Sequence, residues 1–115
     1  MKVTNYRDAV PVDEVEGVSR RDVVTADDGA PLFIMRVFDV EPGSSTPSHS
    51  HPYEHEVFVL SGKGVAVGEQ GALPIVKESV IFVAPSEPHC FVNTGNEDLR
   101  FICVIPVPKE EKEPS

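Results

Sequence analysis

The 115-residue chain has no tryptophan, two cysteines, and only 10 lysines and arginines against 19 aspartates and glutamates. Each scarcity excludes something. With a formal charge of −9 the surface repels a nucleic-acid backbone or an anionic membrane, so neither is an expected partner. Cys90 and Cys103 are too few for a disulfide scaffold. Both lie in apolar stretches, where a free buried thiol is the common state in a reducing compartment. No apolar run approaches the roughly 20 residues that a membrane-spanning helix needs, and the start MKVTNYRDAV lacks the basic-then-apolar pattern of a secretory signal. The expected location is the cytoplasm. At this length one hydrophobic core and one domain are expected.

Helix also has little room. β-Branched and aromatic residues come in short runs, RRDVVTA, PLFIMRVFDV, HEVFVLSG, GVAVGEQ, LPIVKE, SVIFVAP, HCFVN and LRFICVIPV, broken by DDGA, EPGSSTP, GK, QGA, APSEP and NTGNED. About eight strands at this spacing predict an all-β sandwich or barrel over residues 20–108. Residues 1–19 are polar and weakly patterned, and read as an arm that packs on the domain or on a neighbour. Residues 109–115, KEEKEPS, read as a charged tail.

Histidine is concentrated where the other residues of interest are sparse. Three of the four histidines fall in PSHSHPYEHEVFVLSG, just ahead of an apolar run: His49, His51 and His55. Residues two apart on extended backbone project from one face, so His49 and His51 can converge on one point. His55 keeps that parity, with Pro52 interrupting the path. His89 follows the turn APSEP and opens HCFVN, so a facing strand can bring it in to close the set. A single histidine is more often an ordinary surface residue. Four that fit one constellation, with none left over, predict a metal site. Imidazole suits zinc, copper, iron, nickel and manganese, whereas calcium and magnesium call for oxygen ligands.

These residues resemble the first motif of the cupin superfamily: a glycine, His-x-His, an acidic residue and a closing glycine, met here by Gly43, His49, His51 and Gly62. At the acidic position, in frame with Gly62, stands His55, with Glu56 as the rival one residue later. His89 and Asn93 match the end of the second cupin motif, while Ser79 replaces a usual glycine and Pro85 sits one residue closer to the histidine than usual. The resemblance covers roughly Arg20 to Pro108 and implies a double-stranded β-helix, or jelly-roll, barrel with a metal near one mouth. It is nearest to small single-domain cupins with four histidine ligands, which often hold manganese; Fe2+, Zn2+, Ni2+ and Cu2+ are the alternatives to Mn2+.

Four neutral imidazoles leave the charge of a divalent ion uncompensated, and six-coordination would leave two positions for water, dioxygen or substrate. Arg36, a lone cation in LFIMRVF, would orient a substrate carboxylate if it faces inward, or make an outer ion pair if it does not. Phe101, Cys103 and Ile105 alternate on one face of FICVI and would line the barrel, with Cys103 either an inert buried thiol or a soft ligand. Tyr53 and Glu54 would gate the mouth or hold a ligand's second nitrogen, and Tyr53 or Glu56 would have to serve as any general base. The expected function is a metal-dependent oxidoreductase of dioxygenase type, activating dioxygen or peroxide toward a small aromatic or unsaturated substrate. The alternatives are a non-redox isomerase or lyase acting on a sugar-derived keto acid, and a non-catalytic small-ligand binder. Open sheet edges and a long N-terminal segment predict a homodimer in which that segment adds a strand to its neighbour.

Overall fold

The strand Leu99–Pro106 shows how the sequence builds the molecule. Its buried residues alternate, with Leu99, Phe101, Cys103 and Ile105 turned inward, so one face of an extended chain is driven into a core while the other is left to a second environment. In the computed structural model, which describes residues 1–108, this strand is β9 and lies at the centre of the larger of two sheets. The charged tail expected over residues 109–115 lies outside the described residues.

The strands are β1 (Val12–Val15), β2 (Val18–Val24), β3 (Phe33–Val40), β4 (His55–Ser61), β5 (Gly64–Gly68), β6 (Gly71–Ile75), β7 (Val80–Val83), β8 (Cys90–Asn93) and β9. Six form one sheet in the order β1-β2-β3-β9-β4-β7, and three form the other in the order β6-β5-β8. All named pairings are antiparallel, and the core lies between the sheets. The architecture is all-β, as the run spacing predicted, and is the jelly roll that the cupin resemblance implied. Among the described residues, helix is limited to two single turns of 3-10 type, Tyr6–Asp8 and Ala26–Asp28.

Two boundaries differ from the sequence reading. The expected arm over residues 1–19 is partly sheet: β1 forms a hairpin with β2, whose first residue Val18 is core. The hairpin is fastened by Arg20, which bonds both Glu14 and Asp22, so polar pairing replaces the apolar alternation that would have marked it. Strand β6 begins within the expected break QGA, at Gly71, and runs through Pro74. It is an edge strand, where a missing N–H is tolerated.

Gly62 closes β4 with φ 87°, and a Cβ there would lie 2.4 Å from the Asp98 carbonyl oxygen, so only glycine fits between β4 and the turn into β9. At the degraded second motif, Glu78 takes the left-handed conformation (φ 74°), and the Ser79 hydroxyl accepts the Val76 N–H at 2.9 Å. The serine thus fastens the turn where the family uses glycine.

Candidate functional site

Three parts of the fold converge at one end of the barrel. The connection from β3 to β4 carries His49 and His51, β4 opens with His55, and the turn from β7 to β8 carries His89. His49 and His89 form an isolated antiparallel bridge with reciprocal N–H···O bonds of 3.2 and 3.0 Å, which fixes the two motifs against each other. The imidazole centroids are 4.4 Å apart for His49 and His51, 5.0 Å for His51 and His55, 4.8 Å for His55 and His89 and 5.4 Å for His49 and His89. The structure therefore brings together all four sequence-selected histidines. Among the described residues no three His, Cys, Asp or Glu side chains converge as a finished metal-binding group.

The ring nitrogens suit a ligand role. His89 Nδ1 lies 2.9 Å from the Glu87 carbonyl oxygen, and because a carbonyl only accepts, Nδ1 carries the proton and Nε2 keeps its lone pair. His55 is buried, with Nδ1 3.4 Å from Cys103 Sγ, and its Nε2 is buried without a hydrogen-bond partner. Burial, followed by the mutual repulsion of the rings, lowers the pKa of His49, brings that of His51 to about 4 and that of His55 to about 3. At neutral pH these three rings are held in the neutral form that metals bind.

The cavity beside them is about 50 Å3 and is walled by Phe38, Phe91 and Phe101. Arg36 faces inward: its Nη2 donates to Cys103 Sγ at 3.2 Å, its guanidinium lies 5.1 Å from the Phe38 ring centre, and its Nε is buried without a partner. The outer ion pair is thus excluded, and Arg36 takes part in no ion pair among the described residues.

The remaining expectations divide. Cys103 and Phe101 line the cavity, whereas Ile105, although buried, lines a neighbouring cleft with Tyr53, Glu54 and Glu56. Tyr53 stacks parallel on His51, centroids 5.0 Å and planes 4° apart, and so fixes the plane of that ring. Glu56 is a correction: it follows His55 on β4, strand alternation turns it to the exposed outer face, and it reaches neither the histidines nor their cavity. Glu54 lies beside it, and their contact raises the Glu54 pKa. Asn93 is buried and structural, donating to the Val40 and Glu97 carbonyls at 2.8 and 2.7 Å and accepting the Gly95 N–H at 2.8 Å.

Sequence reasoning missed Glu14, which lines the cavity from β1 and is tied to Arg20. No local pattern signalled it, because the reach of β1 to the pocket is set by its pairing with β2. Phe38 and Phe91 were also missed, although each follows the inward parity of its strand.

The cupin domain family model matches residues 36–105, more than half of the chain. The chain belongs to the cupin family. Among curated proteins this cupin is 42% identical over 65 residues to an oxalate-binding protein of Thermotoga maritima, a match covering 56% of this chain and 54% of that protein. An uncharacterized protein of Methanocaldococcus jannaschii is 31% identical over 65 residues, 56% of this chain and 52% of that protein. The chain therefore spans about half the length of the curated relatives it matches. Among solved structures, the polyketide cyclase RemF of Streptomyces resistomycificus superposes with a TM-score of 0.86 at 33% identity, covering 94% of this cupin and 80% of RemF. A predicted oxalate decarboxylase from Thermotoga maritima superposes with a TM-score of 0.81 at 25% identity, covering 93% of this cupin and 100% of that chain.

Proposed function

We propose that this cupin holds one divalent transition metal on His49, His51, His55 and His89 and is an oxidoreductase acting on a small carboxylate-bearing substrate. One observation carries the reading: a single small cavity joins four imidazoles, of which His49, His51 and His55 are held neutral, to one inward guanidinium, Arg36. The residues fit a metal, since His55 Nε2 is buried without a partner and the proton on His89 is held at Nδ1. Manganese is the proposed ion. When bound, such an ion supplies Lewis acidity, an accessible redox couple and open coordination positions.

The chain's own residues do the rest. Arg36 offers a planar fork to a carboxylate, Phe38, Phe91 and Phe101 exclude water, and Tyr53 fixes the plane of His51. The cavity is small, about 50 Å3. That favours an oxalate-sized acid over the aromatic substrate expected from the sequence, and the similarity to an oxalate-binding protein and a predicted oxalate decarboxylase supports it.

One observation favours a second, non-redox reading. Glu14 lines the cavity and supplies the general base that the sequence lacked, as an isomerase, lyase or cyclase acting on a keto acid would need. Reconstitution separates the two. Manganese or iron protein should turn over a carboxylate from a panel of oxalate, keto acids and phenols, while the zinc form should bind it without turnover. If the zinc form is equally fast without dioxygen or peroxide, the non-redox reading replaces the first.

Assembly follows from the outer face of the larger sheet. There Phe33, Phe58 and Phe82 are 63%, 41% and 60% exposed, beside exposed Val80. The three rings leave roughly 300 Å2 of apolar surface in water, within the size range of the largest patch on a typical monomer, which is often functional. We assign this face to a second copy of the chain. The N-terminal strand is already paired with its own β2, so strand addition to a neighbour is not required. Free thiols at Cys90 and Cys103 support a reducing, cytoplasmic setting, and among the described residues no helix is long and apolar enough to cross a membrane.

A further inference from the structure

Cys103 lies where two functions meet. Its Sγ is 3.4 Å from His55 Nδ1 and 3.2 Å from Arg36 Nη2, on the central strand β9 and 3% exposed. A guanidinium can only donate, so the sulfur is an acceptor toward Arg36. On the other side is a histidine only 4% exposed, whose Nε2 has no partner. A nitrogen that gives its lone pair to a metal at Nε2 forces the ring proton onto Nδ1, which then needs an acceptor. The sulfur is the acceptor in place.

The sulfur is also badly placed to be a ligand. The two nitrogens of imidazole open to opposite sides of the ring, so an atom touching Nδ1 lies behind the ring from an ion on Nε2. At ordinary metal–nitrogen distances of about 2 Å that separation exceeds ~6 Å.

We infer that Cys103 is a positioning residue: its Sγ accepts the His55 Nδ1–H, fixes the tautomer that presents Nε2, and fastens Arg36 to the same atom. The inference rests on His55 being a ligand, as proposed above. Its consequence is that one side chain sets both the metal ligand and the carboxylate-binding cation, so a change at Cys103 disturbs both together. Sulfur is a weaker acceptor than a carboxylate and brings no charge of its own as a thiol, which leaves His55 a less basic ligand than a carboxylate partner would make it.

The test uses Cys103→Ala and Cys103→Ser in the full chain, with Mn2+ and Zn2+ affinity measured by competition titration and the His55 tautomer read from two-bond nitrogen–proton NMR correlations. Cys103→Ala should lose roughly 10- to 100-fold in metal affinity and show His55 as a mixture of tautomers. Cys103→Ser, which keeps an acceptor, should stay within a few fold of the parent and retain the Nδ1–H form. Melting temperatures for both variants separate a packing loss from a loss of orientation. Unchanged affinity and an unchanged tautomer in Cys103→Ala overturn the inference, as does equal loss in Cys103→Ser. Retention of metal by His55→Ala instead overturns the ligand set, a distinct result.

Discussion

Replacing Arg36 by methionine should weaken carboxylate binding without weakening metal binding. The guanidinium lines the cavity and lies close enough to the histidines to depress the pKa values of His49, His51 and His55 by repulsion, after burial and the rings' own repulsion. Whatever disfavours a proton on those rings also disfavours a cation among them, so removing the charge should leave metal affinity equal or higher. A bound carboxylate would instead lose a charge-assisted bond worth about 1.5–3 kcal/mol, a weakening of roughly 10- to 150-fold. Methionine keeps an unbranched apolar side chain of similar reach while removing the guanidinium that lies over Phe38 and bonds Cys103. Isothermal titration of metal-loaded wild type and Arg36→Met with oxalate measures the anion term, and competition titration measures the metal. Joint loss of both affinities would show that Arg36 acts by holding the site together. An unchanged oxalate affinity would show that it does not touch the substrate.

Other consequences are accessible to simple measurements. Asn93→Ala removes three hydrogen bonds at a fully buried site, which at about 1 kcal/mol each amounts to about 3 kcal/mol. Calorimetry should find a melting temperature lower by on the order of 15 °C, with metal stoichiometry unchanged. The folded pKa values of His51 and His55, about 4 and about 3, lie below the unfolded value, which is near 6.5. The unfolded chain therefore binds more protons between these limits. Metal-free protein should keep this stability above about pH 6.5 and lose it progressively down to about pH 3, as urea titrations across that range would show. Light scattering should give twice the monomer mass for wild type and a monomer for Phe58→Glu combined with Phe82→Glu; a monomeric wild type would remove the proposed interface.

The fold was legible because its signals are local. Alternation in FICVI and HEVFV, with glycine and proline between runs, records which face each strand buries, and Gly62 marks a backbone conformation closed to other residues. The histidines were legible for the same reason, since spacing in the chain carries over to spacing on strands and adjoining loops. What escaped depends on pairing between distant segments. Glu14 enters the cavity through the β1–β2 hairpin, whose polar fastening by Arg20 hides the strand pattern. The inward turn of Arg36 shows only when β3 is set in register against β9, with Arg36 opposite Cys103. Ile105 keeps the parity of Phe101 and Cys103 but lies beyond the end of the cavity, a matter of depth that alternation cannot report.

The central claim is that four imidazoles, and not three with a glutamate, hold one metal ion. Elemental analysis of protein produced without added metals, for wild type, His55→Ala and Glu56→Ala side by side, tests it directly. The account predicts close to one transition-metal ion per chain in wild type and in Glu56→Ala, and a near-complete loss in His55→Ala. Metal retained in His55→Ala and lost in Glu56→Ala would contradict it.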